Sequence, residues 1–326
     1  IQTGDLMPVL TKFSRIAPSG LMKYRGANFP DDYKGNLFSA QFNPHRVQRH
    51  VLKSDGSTGA SYTSVDTDFL TSSDPDFHPT DVIEDADGSI LVSDTGGWYV
   101  DACPISRVSK PEVRGSIYRI RKKDSPKVHD AWMTSVDSDN VSLNDMILWL
   151  GHTTPALRDH ALERIVPIVG NDETKIAQLR EQFDKETSTV KSLQDVLFKI
   201  HAEGLESKEL MTQLIASSYR SVNLACALAQ IGTPSALAAL REIGLNESTP
   251  VLRQQTTNLL GVCMDHDAVD VLIPRLNDNF PSVRREAALS LGRLKAQKAV
   301  PALLGACRED DDRFLTHAFT YALIEI

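Results

Sequence analysis

One stretch decides the fold of the second half of the chain: Asp278-Asn-Phe-Pro-Ser-Val-Arg-Arg-Glu-Ala-Ala-Leu-Ser-Leu-Gly-Arg-Leu294. Its apolar residues Val283, Ala287 and Leu291 recur every four positions, which places them on one face of an α-helix. A second apolar segment, Ala299-Val-Pro-Ala-Leu-Leu304, follows after a tight connection. Two short amphipathic helices cannot bury an apolar face alone, so the stretch predicts helix pairs that pack against neighbouring pairs.

Copies of this pair lie on both sides of the stretch. In the preceding copy, Val251 and Gly261 occupy the positions of Val283 and Gly292, and a further copy begins at Phe314. Helix pairs that recur in this way are typical of HEAT repeats, which stack into an α-solenoid because each pair covers the apolar face of the next.

The weaker copies and the connecting segment set the extent of the solenoid. Divergent copies occur at residues 155–165 and 225–232, and the polar residues 171–200 predict a long, partly exposed helical connection. We therefore predict an α-solenoid of HEAT repeats over residues 132–326, with its clearest repeats over 220–326.

Composition changes near residue 131. Residues 1–131 contain 7 Leu, 7 Ala and 10 Gly, whereas residues 132–326 contain 28 Leu, 20 Ala and 8 Gly. Strand and turn formers give way to helix formers, which indicates two domains with the boundary at this point.

The first domain has the pattern of antiparallel sheets. Residues 36–42 and 46–52 predict a hairpin, and residues 81–94 predict another that a strand at residues 116–120 extends. The similar segments Pro18-Ser-Gly-Leu21 and Pro79-Thr-Asp-Val82 each precede one hairpin. A repeated sheet of this size predicts about two C-terminal blades of a β-propeller over residues 1–131.

Two blades cannot close a propeller ring, because their sheet faces would remain exposed. The chain also opens at Ile1 without a methionine and stops within an amphipathic segment at Ile326. We therefore expect a fragment of a longer protein, with further blades before it, and we expect the fragment alone to be inactive as an enzyme.

Charge and cysteine spacing exclude several classes of protein. The formal net charge of -8 argues against a nucleic-acid partner, because neutralising phosphates requires a basic face. The 4 cysteines have neither CxxC nor CxxCH spacing, so zinc-ribbon and c-type haem sites are not expected in this stretch. No apolar run approaches the roughly 20 residues that cross a bilayer.

The first domain contains several stretches whose residues and order along the chain resemble those of one known family. They are Tyr33-Lys-Gly-Asn-Leu-Phe38, Phe69-Leu-Thr-Ser-Ser-Asp-Pro-Asp-Phe77, Pro79-Thr-Asp-Val82, Ser93-Asp-Thr-Gly-Gly-Trp-Tyr99 and Gly115-Ser-Ile-Tyr-Arg-Ile120. Together they resemble the membrane-bound dehydrogenase-like proteins of planctomycetes, in which a sorbosone/glucose-dehydrogenase-like propeller precedes HEAT repeats.

The resemblance implies a quinoprotein-type dehydrogenase of sugars or polyols, exported to the periplasm or membrane-associated, with the HEAT repeats as a docking or spacer domain. It implies pyrroloquinoline quinone and Ca²⁺ as cofactors, with haem c only in a domain outside this sequence. The chain departs from the family at Cys103, which stands alone where relatives often carry adjacent cysteines.

Candidate catalytic and cofactor residues lie where propeller strands begin and loops converge. His78 could accept the hydroxyl proton as hydride leaves for a quinone, although a loop hydrogen-bonding role is the more ordinary function of such a histidine. Arg15, His45, Asp94 and Trp98 are the candidates for cofactor binding. Trp98 could stack on a sugar or flat cofactor, or pack between blades.

Carboxylates and arginines carry further alternatives. Asp81 and Asp94 could ligate Ca²⁺, which binds several oxygens, or could cap turns. Arg253 and Arg285 occupy matching repeat positions and are predicted to pair structurally with Asp278. The alternative to the dehydrogenase is a non-catalytic propeller and HEAT scaffold that binds carbohydrate or protein, with a protein partner on the concave face of the solenoid.

Overall fold

The computed structural model describes residues 9–54, 62–97, 110, 112–125, 130–132, 140–246, 249–309 and 312–326. These residues form seven β-strands followed by ten α-helices, which confirms the predicted order of a β part and a helical part. The boundary at residue 131 stays a prediction.

The strands form two antiparallel sheets. The first has the order β1-β2-β3-β4 and the second β5-β6-β7. The strands are β1 Pro18–Lys23, β2 Leu37–Gln41, β3 Arg46–Ser54, β4 Tyr62–Thr71, β5 Pro79–Glu84, β6 Ile90–Asp94 and β7 Ser116–Ile120. The predicted hairpins are β2-β3 and β5-β6. Strand β4 was not predicted.

The two sheets share one hydrophobic core. Phe38 and Val47 enter it from the first sheet, and Val82 and Val92 enter it from the second. Between them lies the fully buried Tyr24, whose hydroxyl donates to the Gly88 carbonyl at 2.8 Å. The described residues form neither a closed barrel nor a closed ring of blades, so the propeller assignment stays a prediction.

The helices form a stack. They are α1 Leu143–Trp149, α2 Pro155–Val169, α3 Glu173–Ala202, α4 Lys208–Ile231, α5 Pro234–Ala239, α6 Pro250–Val262, α7 Val269–Leu272, α8 Pro281–Arg293, α9 Val300–Glu309 and α10 Arg313–Glu325. None of these helices has the length and apolar character needed to cross a membrane.

Local sequence sets several helix ends. Asp172 accepts backbone N–H groups of Thr174 and Lys175 at the start of α3, as an N-cap aspartate does. Helices α2, α5, α6 and α8 begin with proline, whose missing N–H costs nothing at that position. Helix α4 ends at Gly232, whose φ of 66° is the left-handed conformation that glycine adopts readily.

Two glycines let neighbouring repeats approach closely. Helices α6, α8 and α10 pack side by side. A Cβ atom on Gly261 of α6 would lie 2.7 Å from the Ser290 Cα of α8, and one on Gly292 would lie 2.9 Å from the Ala322 Cα of α10. The repeated glycines therefore mark helix crossings where a side chain does not fit.

A buried ion pair joins α6 to the segment before α8. Arg253 donates from Nε and Nη2 to the two carboxylate oxygens of Asp278, each at 2.9 Å. The predicted pairing is therefore correct for Arg253 and wrong for Arg285, whose Nη2 contacts Glu286 at 2.9 Å. Arg284 instead donates to the Asp278 carbonyl at 3.0 Å, because adjacent helical residues point about 100° apart.

Candidate functional site

Two predicted site residues meet at the end of the sheets. The imidazole rings of His45 and His78 have their centres 5.3 Å apart and are inclined by 61°. His45 lies in the β2-β3 turn and His78 immediately precedes β5. Two positions that are distant in the chain are therefore brought into contact by the packing of the two sheets.

Both imidazoles are fixed by hydrogen bonds to backbone carbonyls. His45 Nδ1 lies 2.6 Å from the Phe77 oxygen, and His78 Nδ1 lies 3.0 Å from the Gly96 oxygen. Since a carbonyl oxygen only accepts, each Nδ1 must be the protonated nitrogen. In the neutral rings each Nε2 then carries a lone pair that can accept a proton or bind a metal.

The carboxylates predicted to bind Ca²⁺ serve turns. Asp94 Oδ1 accepts the backbone N–H groups of His78 at 2.8 Å and Gly96 at 2.9 Å. Asp81 Oδ1 accepts the N–H of Val82 at 2.8 Å. No three metal-ligating side chains lie together among the residues that the structure describes, and Ca²⁺ takes six to eight oxygens. Calcium binding stays a prediction.

The remaining predicted cofactor residues, Arg15 and Trp98, are exposed or fall outside the described ranges. Arg15 is exposed in the segment before β1. Trp98 and Cys103 fall outside the described residues. Of the predicted catalytic and cofactor-binding residues, His45, His78 and Asp94 therefore lie close together among the described residues.

The first sheet contains a buried polar network that sequence patterns did not identify. Ser39 Oγ lies 2.8 Å from His50 Nε2, and His50 Nδ1 lies 2.9 Å from Asp66 Oδ1. Thr11 donates to the other oxygen of Asp66, and the Phe13 ring lies against His50. Polar residues at alternate positions of β2 and β3 were the available signal.

This Ser-His-Asp geometry is that of a nucleophile relay, but its surroundings are those of a structural network. His50 is only 2% exposed, and Ser39 lies on β2, which is paired on both sides. Strand amides used in a ladder cannot form an oxyanion hole. Burial acts to raise the pKa of Asp66, but hydrogen bonds from Thr11, His50 and Ser64 outweigh it and lower that pKa.

A cleft of about 370 Å³ separates the second sheet from α2. Arg25, Glu84, Trp132 and Asp159 are among the residues that line it. Burial raises the pKa of Glu84, against hydrogen bonds from the backbone N–H groups of Arg25 and Gly26. Acidic side chains outnumber basic ones in the lining of the cleft, and its arginine, Arg25, forms an ion pair with Asp159.

The end of α3, the start of α4 and the connection between them form an exposed arm, residues 191–216. None of the residues 191–216 is buried, although this arm contains many large apolar side chains. The most exposed are Phe198 at 78% and Leu205 at 58%, and Val196, Met211 and Ile215 are also exposed. An uncovered set of apolar side chains of this size marks an interaction surface more often than chance.

Comparisons with known proteins identify two segments. The HEAT-repeat family matches residues 244–324, and a domain of unknown function, DUF7133, matches residues 10–124. No curated protein matches the chain. Among solved structures, human deoxyhypusine hydroxylase in complex with glycerol is 15% identical, with a TM-score of 0.31, over 56% of this chain and 95% of that one. A likeness at this level says nothing about function.

Proposed function

We propose that this protein is a scaffold whose helical repeats bind a protein partner. The match of residues 244–324 to HEAT repeats supports the scaffold role, and the uncovered apolar side chains of residues 191–216, outside the matched segment, support a docking surface there. Such repeats form extended stacks whose surfaces accommodate other proteins. The partner class is a folded protein and not a nucleic acid, since the net charge of -8 opposes phosphate binding.

The α3-α4 arm, residues 191–216, is the surface that we assign to the partner. Its large apolar side chains lack cover among the described residues, and burying them on binding would add about 25 cal/mol for each Å² of apolar area. Lys191, Lys199 and Lys208 are interspersed with carboxylates along the arm. The arm can therefore form ion pairs with both acidic and basic groups of a partner. A partner with an apolar helix face and a mixed-charge rim fits this arrangement.

Site-specific photocrosslinking tests the scaffold proposal. A photoreactive phenylalanine analogue at position 198 should crosslink one partner from the source cell, and the same analogue at Leu148, an exposed apolar position of α1, should not. The partner is then purified and titrated against the Phe198→Ser variant, with Leu148→Ser as the matched control. We expect at least a tenfold loss of affinity for Phe198→Ser only. Equal affinities for both variants and the unaltered chain would refute the arm as the docking surface.

We propose dehydrogenation of a sugar or polyol as the second candidate function. The specific observation is the fixed Nδ1 proton of His78, which leaves Nε2 as an acceptor for a hydroxyl proton. Pyrroloquinoline quinone would supply the hydride acceptor when bound. The described carboxylates do not assemble a Ca²⁺ site, so the support for this function is the histidine alone.

Dye-linked oxidation tests the second function. The natural full-length protein is assayed with pyrroloquinoline quinone and Ca²⁺ over a panel of sugars and polyols, beside His78→Asn and the control His266→Asn. We expect turnover that falls about 10²- to 10⁴-fold in His78→Asn, the usual contribution of a general base. Absence of turnover with every substrate would refute it. The dehydrogenase proposal includes export to the periplasm or association with the membrane. Cell fractionation tests this localisation.

A further inference from the structure

The rings of His45 and His78 are both held in place by their neighbours. Neither proposed function requires that both rings be held in this way. His78 stacks on Phe42 with ring centres 4.5 Å apart and an angle of 26°. His45 has a φ of 55°, a conformation that residues other than glycine seldom adopt. Such a conformation is strained and tends to occur at functional positions.

The hydrogen bonds of the pair are those that accompany metal-ligating histidines. A ligating imidazole typically donates its other ring N–H to a carbonyl or carboxylate, which fixes the tautomer and orients the ring. Both His45 and His78 donate from Nδ1 to carbonyls, of Phe77 and Gly96. Both Nε2 atoms are thereby available as ligands at the same end of the sheets.

The separation of the rings fits one shared ion. Metal–nitrogen bonds of about 2.0–2.1 Å place the centres of two imidazoles on a tetrahedral ion roughly 5–5.5 Å apart. The observed distance of 5.3 Å lies within that range. The planes of the two rings are inclined by 61°, in an edge-to-face arrangement.

We propose that His45 and His78 together bind a first-row transition metal ion of the Zn²⁺ and Cu²⁺ class. Imidazole nitrogen suits these ions, whereas Ca²⁺ takes oxygen. The described residues add no third ligating side chain to the pair. Water or an oxygen of a bound ligand completes the coordination, so the ion is open to exchange and can act as a Lewis acid.

Copper titration of the purified chain is the direct test. Cu²⁺ is the probe because it binds nitrogen ligands most tightly in this series. Calorimetry follows binding, and electron paramagnetic resonance counts the equatorial nitrogens. The variants are His45→Asn, His78→Asn and the double variant, because an asparagine amide can keep a hydrogen bond to a carbonyl. His266→Asn, which removes an exposed histidine elsewhere, is the matched control.

We expect one strong site with two imidazole nitrogens in the unaltered chain and in His266→Asn. Each single variant should lose one nitrogen and bind at least tenfold more weakly, and the double variant should lose the site. A site that persists in the double variant, or an unaltered chain that binds no more tightly than it, overturns the proposal. Because circular dichroism verifies that the variants are folded, loss through misfolding is recognised.

A second measurement uses stability in place of spectroscopy. An ion that binds only the folded chain raises the melting temperature by mass action. Saturating Zn²⁺ should therefore raise the Tm of the unaltered chain and of His266→Asn, but not that of the double variant. Equal shifts in all three would show binding elsewhere and would also overturn the assignment.

Discussion

Arg25 and Asp159 join the β part of the chain to its helices. Nη1 and Nη2 of Arg25 donate to the two oxygens of Asp159 on α2, at 3.3 and 2.7 Å. The backbone N–H of Arg25 donates to Glu84 Oε2 of β5 at 2.7 Å. A single residue next to β1 thus contacts both the second sheet and the helical stack. The hydrogen bond with Asp159 raises the pKa of Arg25.

This junction should contribute little to stability despite its two-point geometry. The side chains of Arg25 and Asp159 are 50% and 47% exposed, so water screens their attraction. We predict that Arg25→Gln and Asp159→Asn each lower the unfolding free energy by about 0.2–1 kcal/mol. Denaturant melts in a double-mutant cycle measure the coupling. A coupling well above about 1 kcal/mol, the upper end for exposed ion pairs, would show that the junction is more rigid and less hydrated than its exposure indicates.

The buried pair Arg253–Asp278 should behave differently. Its side chains are only 11% and 4% exposed, so Asp278→Asn removes the carboxylate charge that faces a nearly buried guanidinium. We predict that Asp278→Asn destabilises the chain by about 3–5 kcal/mol. Lys298–Asp270 is the matched control, since these side chains are 70% and 69% exposed. Asp270→Asn should change the unfolding free energy by less than about 1 kcal/mol, and similar losses in both variants would contradict the burial argument.

The repeat glycines provide a second matched pair. Gly261→Ala places a methyl group against the Ser290 backbone, and Gly292→Ala places one against Ala322. We predict a loss of about 1–3 kcal/mol for each, the usual effect of overpacking. A Cβ atom on Gly305 of α9 would meet nothing within 4 Å, so Gly305→Ala should be neutral or stabilising by up to about 1 kcal/mol. Thermal melts of the three variants measure these changes in stability. A loss of stability in Gly305→Ala equal to that in the other two variants would refute the close approach of the helices as the cause.

Acid should weaken the first sheet through Asp66. Its pKa is lowered in the folded chain, so the ionised form stabilises folding above the ordinary aspartate pKa of about 3.9. That contribution is lost as the pH falls through the lower, folded pKa, because protons then bind both states equally. We predict that Asp66→Asn flattens the dependence of stability on pH below about 4. The control Asp195→Asn should leave that dependence unchanged. If Asp66→Asn also leaves the loss of stability at low pH unchanged, Asp66 is not the cause of that loss.

Strand β4 shows where sequence patterns stop. Its residues Tyr62–Thr71 are mostly polar and exposed, so the alternating apolar signal of a strand is absent. The strand forms because β3 offers an unpaired edge, to which it pairs from Arg46↔Thr71 to Ser54↔Tyr62. Edge pairing depends on a neighbour that is distant in the chain, which local patterns cannot identify.

The helical repeats illustrate the opposite case. Val283, Ala287 and Leu291 are fully buried, as the four-residue interval predicted. The pairing of Arg253 with Asp278 also followed from position in the repeat, because a helix and its turn are local structures. The choice between Arg284 and Arg285 did not, since it depends on which direction each side chain takes around the helix.

The sequence by itself determined the order of sheets and helices, the repeat of the helix pairs and the recurrence of a glycine in successive pairs. These features depend on the periodicity and size of residues, which are properties of the local sequence. Only the tertiary structure decided that His45 and His78 meet, that Ser39, His50 and Asp66 form a network, and that Arg25 reaches Asp159. Such contacts depend on the packing of separate elements, whose relative placement no local pattern encodes.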